Sequence, residues 1–558
     1  MFMVFKEEQK QEELLVKVRR EEEEGRAKLL AEKTGLPYLN LAFVPIESDA
    51  LTLISKEMAE KAKVAVINRE AKVLHLVVLN PDNKETQSII AELQKSGYAT
   101  KTFIVSENGL KKALSYYPPP GTIKEITGQV EISNKVLENF QKEISDIKTL
   151  RQILENSFQA RASQIVEIIL AGALILKASD IHFEPEENKI RFRLRLDGIL
   201  EDITFMPGSI YSLLLNRIKL LSGLKLNIHE KAQDGRFSIV VANGAVEIRT
   251  SILPGAYGEN IVMRILDPRS IKIDLGNLGI RKDDLAIIDQ ELQEPTGMIL
   301  ATGPTGSGKT TTLYAFIKKI LTPDVKIITI EDPIEYHIEG ISQTQIEPDK
   351  GYTFENGLRS IVRQDPDVIL VGEIRDYETA EIAMHAALTG HLVLSTLHTN
   401  DTIGAIPRLI DLGIKPPVIA PAINLLIAQR LLRKICPKCA KKRLITPKEL
   451  ENFNKILKNL PARAKLEKEL NKKTQILEPQ GCKNCHNGYS GRIAVMELLK
   501  IDDEIESLIL ESPTELQIKA VAQKAGFVSM MQDAIIKIIN GVTSIKEAER
   551  ILGQIDSS

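Results

Sequence analysis

The segment "GMILATGPTGSGKTTTLYAF" at 297–316 constrains this chain more than any other stretch. An apolar run leads into Gly303-x-x-x-x-Gly308-Lys309-Thr310 and then into a helix-forming stretch. Strand, glycine-rich loop and helix start, in that order, form the context in which this motif cradles phosphate. Gly306 and Gly308 permit backbone turns that aim successive amides at phosphate oxygens, and the helix N-terminus adds favourable partial charge. The expected cradle is Gly303, Pro304, Thr305, Gly306, Ser307, Gly308, Lys309, Thr310 and Thr311. Lys309 would reach the β and γ phosphates, and Thr310 would bind magnesium. The ligand class is therefore a nucleoside triphosphate, and what activates the attacking water is left open.

"DPDVILVGEIRD" at 365–376 raises that second question. An apolar strand ending in two acids is how many nucleotide hydrolases hold their metal, yet Gly372 stands at the first acidic position and only Glu373 remains. "IITIEDPIEYH" supplies Glu331 and Asp332 at another strand end, with Glu335 just beyond. Ligands of open α/β sheets sit at the carboxyl ends of strands, which is where Glu331 and Glu373 both fall. One carboxylate would organise magnesium while the other orients or deprotonates water. The plainer alternative is that these acids only solvate strand-end loops. "GHLVLSTLHTND" runs into His398, a candidate γ-phosphate sensor or a hydrogen-bonded structural histidine; His391 starts the same strand and should lie farther away.

Other apolar runs, "KIITIED", "DVILVGE" and "HLVLSTL", alternate with helical stretches, which implies a mostly parallel sheet covered on both faces. With 558 residues and roughly 150 per domain, three or four domains are expected. We divide the chain into an N-terminal domain with a helical lead (1–117), a linker (118–150) around "YYPPPG", a second α+β domain (151–275), the P-loop core (276–435), a cysteine subdomain (436–497) and a helical C-terminal region (498–558). The second domain contains "KIRFRLRLDGIL", where Phe192, Leu194 and Leu196 face one way and Arg191, Arg193 and Arg195 the other. A net charge of −2 predicts no bulk attraction to nucleic acid. The N-terminus is too acidic for a secretory signal, and no run reaches the ~20 apolar residues of a membrane span. These features read as a cytoplasmic protein.

All four cysteines fall in two C-x-x-C pairs, Cys436/Cys439 and Cys482/Cys485. Paired knuckles of this kind suit four thiolates around a tetrahedral, structural zinc, with "LITPKELENFNKILKNL" as an inserted helix between them. A redox pair is the rival reading.

Taken together, "SDIHFEP" (179–185), "RLRLDG" (193–198), "GPTGSGKTTTLY" (303–314), "TIEDPIE" (329–335), "LRSIVRQDPDVILVGEIRD" (358–376) and "TGHLVLSTLHTND" (389–401) resemble the secretion ATPase superfamily. The likeness is greatest to its assembly and export branch, the type IV pilus assembly and type II secretion ATPases. The resemblance implies an α/β, multidomain chain: a RecA-like core, a preceding PAS-like α+β domain, a small N-terminal α/β domain and a tetracysteine zinc subdomain. It implies ATP, Mg2+ and Zn2+ as cofactors, and a homohexamer on the cytoplasmic side of the inner membrane. A membrane platform protein would be the partner, with pilin or pseudopilin moved indirectly and no direct nucleic-acid ligand. It further implies Glu331 as general base, Gly372 as the family's usual residue, and Arg249 and Arg264 as nucleotide-contacting arginines. The tetracysteine motif favours polymerisation over retraction. A cyclic-dinucleotide motif beginning Arg-Leu-Gly, carried by some relatives, is not found, so the first domain is expected to dock on the platform. Alternatives are a retraction or conjugation-type motor, a nucleic-acid motor, and an assembly hub that binds ATP without hydrolysing it.

Overall fold

The structure, a computed structural model, describes residues 22–555 apart from 42–43, 45–47, 52, 71–72, 96–97, 118–128, 133, 242–243, 268–274, 465 and 484. The N-terminal stretch 1–21 and most of "YYPPPG" thus lie outside the described residues. Two compact units form, Met1–Thr127 and Gly128–Ser558. In the first, strands Val64–Glu70, Val73–Val78 and Ala99–Ile104 pair antiparallel and then parallel. Helices Lys56–Ala62, Lys84–Lys95 and Glu107–Ser115 accompany them. The β-branched and leucine positions Val64, Val66, Leu74 and Leu76 are fully buried, as a small sheet needs one apolar face covered.

The second unit holds two seven-stranded sheets. The first runs, edge to edge, Gln129–Glu131, Gln233–Val241, Gly244–Gly255, Gly258–Leu266, Asp180–Pro185, Ile190–Leu196, Ile199–Met206. The period-2 pattern of 190–196 is realised: alternate residues from Ile190 to Leu196 are buried and the three arginines are half-buried. On the buried face Phe183 stacks on Phe192 with ring centroids 5.0 Å apart. On the other, Arg191 meets Asp202 at 2.8 Å, Arg193 meets Glu184 at 3.4 Å, and Arg195 meets Asp180 at 3.3 Å. The arginine face is a ladder of paired charges.

The 118–150 stretch expected as a linker is largely regular where it is described. Gln129–Glu131 adds an edge strand, and Asn134–Glu143 and Ile147–Asn156 are helices. Leu150 and Leu154, one helical turn apart, are fully buried against the first sheet's core, which a charge-rich sequence obscures.

The second sheet runs Ser342–Gln345, Ile327–Glu331, Val368–Val371, Leu392–Leu397, Gly297–Thr302, Ile423–Ile435, Tyr489–Lys500. All pairs are parallel except the last. Apolar clusters cover both faces, which explains why its central strands read as unbroken apolar runs. One boundary moves: Tyr489–Lys500, assigned by sequence to the cysteine subdomain for most of its length, pairs with Ile423–Ile435 from Leu425↔Lys500 to Ile435↔Tyr489. Its apolar stretch, including Ala494, Val495 and Met496, is buried only by joining this sheet. Among the described residues no helix is long and apolar enough to cross a membrane.

Candidate nucleotide site and tetracysteine cluster

The phosphate loop hangs between buried supports. Strand Gly297–Thr302 is buried along its length, flanked by Leu392–Leu397 and Ile423–Ile435. Gly303 and Gly308 have φ of 145° and 91°. A Cβ on either would stand 2.7 Å from Gln429, at its carbonyl oxygen or its Nε2 respectively. Both backbone conformation and space therefore demand glycine. Helix Lys309–Ile320 starts directly after Gly308. Lys309 Nζ donates to Gly303 O at 2.7 Å. Burial draws its pKa down, and the nearby Glu373 charge opposes that.

Gln429 is a residue that sequence reasoning missed. Its Nε2 donates to Ser307 O at 2.8 Å and its Oε1 accepts from Thr312 Oγ1 at 2.7 Å, tying the loop and its helix to the next strand. The available signal was a lone amide within the apolar run "LLIAQRLL".

An open cleft of about 440 Å³ lies over the loop. Thr305 to Thr311, Glu331, Glu335, Glu373, His398 and Arg264 all line it. Glu331 is 3 % exposed. Its carboxylate accepts from Thr329 Oγ1 at 2.6 Å, from Gln343 Nε2 at 3.2 Å and from the Tyr314 hydroxyl. Glu373, at the end of Val368–Val371, is held by Arg375 Nη2 at 2.5 Å and His398 Nε2 at 3.1 Å. His391 instead faces Ala386 O at 3.0 Å, outside the cleft. Gly372 N donates to Ile330 O at 2.8 Å, and a Cβ there would lie 3.3 Å from both Ile330 O and Glu331 Cα. The glycine is a place of close strand approach beside the Glu331 backbone.

The two arginines come from the first seven-stranded sheet, where they are register partners. Arg249 crosses to the loop after Glu331, donating to Ile334 O at 2.5 Å and meeting Glu335 at 3.4 Å. Burial pushes the Glu335 carboxyl up, while Arg249 and Arg264 pull it down. Arg264 lines the cleft and is held by Asp180 at 3.0 Å. Arg375 and Arg492 also line the cleft and were not singled out in the sequence, because lone arginines in strand and loop carry no spacing signal.

The four cysteines converge although residues 440–481 separate the pairs. Strands Lys441–Leu444 and Gln475–Glu478 pair and bring the knuckles together, with the expected inserted helix at Pro447–Leu457. All four sulfurs lie within 4.8 Å of one another, with Cys436–Cys482 at 4.0 Å, Cys439–Cys485 at 3.7 Å and Cys482–Cys485 at 3.6 Å. Thiolates ~2.3 Å from a tetrahedral zinc stand about 3.8 Å apart, whereas a disulfide needs ~2.0 Å. The donor set fits zinc and closes every ligand position, which suits a structural ion.

A doubly covered, mostly parallel sheet, a P-loop at the end of one inner strand and carboxylates at the ends of two other strands define a P-loop ATPase. The sequence pattern of the type II/IV secretion system proteins matches residues 155–550, and that of the MshEN domain matches residues 34–122. The type IV pilus assembly ATPase PilB of Myxococcus xanthus is 35% identical over 96% of this chain and 92% of its own. Type II secretion system protein E of Xanthomonas campestris pv. campestris is 41% identical over 73% of this chain and 69% of its own. The crystal structure of the Legionella pneumophila ATPase DotB, 22% identical, superposes on 69% of this chain and 95% of its own with a TM-score of 0.50, a likeness of fold. The chain belongs to the type II/IV secretion system protein family. It is an ATP-hydrolysing enzyme of the class that serves secretion and pilus machines.

Proposed function

We propose that this chain is a cytoplasmic, hexameric motor that hydrolyses ATP to drive polymerisation of pilin or pseudopilin through an inner-membrane platform protein. The observation that carries the reading is the reach of Arg249 from the preceding domain to Ile334 and Glu335 beside the nucleotide cleft. A domain that grips the cleft by its arginines changes its angle when the phosphates beneath it change. In a ring, that change of angle is work that can be passed to a platform. The N-terminal domain is assigned to docking on that platform.

Within the site, Lys309 and the loop amides hold the β and γ phosphates, and Thr310 supplies the hydroxyl for magnesium. When bound, the ion draws charge from the phosphate oxygens and lowers the barrier to attack. Glu331 takes the proton of the attacking water as its oxygen bonds to the γ phosphorus. The bond to the bridging oxygen breaks, and its electron pair leaves with ADP. Glu373 organises the metal side of the cleft, and His398, paired with it, senses the γ phosphate. Arg249 and Arg264 balance the charge that develops on the phosphoryl group. Cys436, Cys439, Cys482 and Cys485 hold a structural zinc, and that tetracysteine set supports assembly over retraction.

The test is phosphate release by purified wild type, Lys309→Ala and Glu373→Gln, followed by expression of each in cells lacking the gene. Hydrolysis and filament or secretion output should fall together. Equal phosphate release by all three would end the reading. Hydrolysis lost with filaments still assembled would separate the enzyme from the motor role.

A further inference from the structure

The two oxygens of Glu331 are held by different parts of the molecule. Oε1 accepts from Thr329 Oγ1 and Gln343 Nε2. Both donors belong to the same sheet as Glu331: Thr329 is on its strand, and Gln343 pairs with Thr329 on the edge strand. Oε2 accepts from the Tyr314 hydroxyl. Tyr314 belongs to the P-loop helix, Lys309–Ile320, one turn after Thr310. The ring is fully buried and packs edge to face on Tyr336 with centroids 4.5 Å apart, so its hydroxyl has one place to be. The phenol is a donor at neutral pH, and burial and the Glu331 charge push it further up from its ordinary value.

The geometry points to Tyr314 as the positioning residue that couples the phosphate-binding helix to Glu331, an inference that rests on the general-base reading above. Helix motion at Lys309 and Thr310 reaches the carboxylate through the tyrosine hydroxyl, while Thr329 and Gln343 hold the other oxygen still. Oε1 already accepts two hydrogen bonds, and Oε2, with one, keeps a lone pair for the proton of water. Among the described residues, few groups face Glu331. Tyr314 comes from the helix, Tyr336 and Glu335 from the segment after its own strand, with Arg249 and Arg264 beyond Glu335. Gln343 on the edge strand is uncharged, and Gly372 on the other flanking strand presents backbone alone.

Tyr314→Phe keeps the ring and deletes the hydroxyl. We expect kcat to fall about tenfold with KM for ATP within about twofold. Site-specific 3-fluorotyrosine at 314 keeps the donor hydroxyl and should hold kcat within about twofold of wild type. 4-Fluorophenylalanine, close to tyrosine in shape but without a donor, should lose as much as phenylalanine, and it stands as the test if that variant folds poorly. Unchanged kcat in the variants that lack the hydroxyl overturns the inference. Glu331→Gln run alongside separates the two claims. If that variant hydrolyses normally the base reading itself fails, and if it is dead while the Tyr314 variants behave as wild type only the coupling fails.

Discussion

Glu331 and Glu373 end neighbouring strands of one sheet, yet they are held by opposite means. Glu331 is surrounded by uncharged donors, Tyr314, Thr329 and Gln343, in a buried setting. Glu373 leans on two basic side chains, Arg375 and His398, at the mouth of the cleft. Dipoles fix a carboxylate's direction without neutralising it, as the proposed proton-accepting role of Glu331 requires. An arginine partner neutralises charge and can give way to another cation, as the proposed metal-side role of Glu373 requires. On the proposed reading, the difference accounts for Gly372 standing where a second acid is expected: the missing charge comes from another strand, at Glu331.

The largest effect should come from the carboxylates themselves. Glu331→Gln and Glu373→Gln should each lower phosphate release at least about a hundredfold, but denaturant unfolding should tell them apart. A glutamine amide at 331 would face buried donors and cost roughly 1–3 kcal/mol. At 373 it breaks pairs with the exposed Arg375 and His398, worth about 1 kcal/mol or less after solvent screening. Equal stability losses would break the comparison. Next in size is Gly372→Ala, whose methyl must displace the Glu331 backbone. A kcat loss of about tenfold with ATP affinity kept is expected, by analogy with small misplacements of catalytic groups, and steady-state kinetics would show it.

Removing metal probes a region apart from both carboxylates. Cys436→Ser should abolish stoichiometric zinc, read by elemental analysis, and lower the thermal midpoint by several degrees. The smallest effect concerns a third carboxylate. Burial raises the Glu497 pKa, although Thr402 and Met530 donate to it. The folded state therefore keeps this proton at pH values where the unfolded chain has lost it. Its contribution to stability falls as pH rises from the ordinary glutamate value through the raised one. Glu497→Gln should flatten that part of the stability profile, which unfolding at stepped pH would reveal.

Much of the candidate site's geometry was legible from residues alone, because the residues that line the cleft come in local motifs. The P-loop, the strand-end acids and the cysteine knuckles each announce themselves within a dozen residues. The period-2 pattern of 190–196 likewise reported its own burial. What escaped was non-local. Gln429 matters because Ile423–Ile435 lies beside the P-loop strand, and Tyr314 because the helix leans toward Glu331; neither adjacency is written in spacing. The 129–156 stretch hid two packed helices behind polar composition, and Tyr489–Lys500 joined a sheet whose other strands end more than fifty residues earlier. Long-range pairing of this kind is decided by which buried edge a strand completes.

The central claim is that Glu331 supplies the catalytic carboxylate absent from position 372. Its most direct measurement is ATP binding and steady-state phosphate release by Glu331→Gln. We expect this variant to bind ATP near wild-type affinity and not to hydrolyse it. Wild-type turnover would contradict the account.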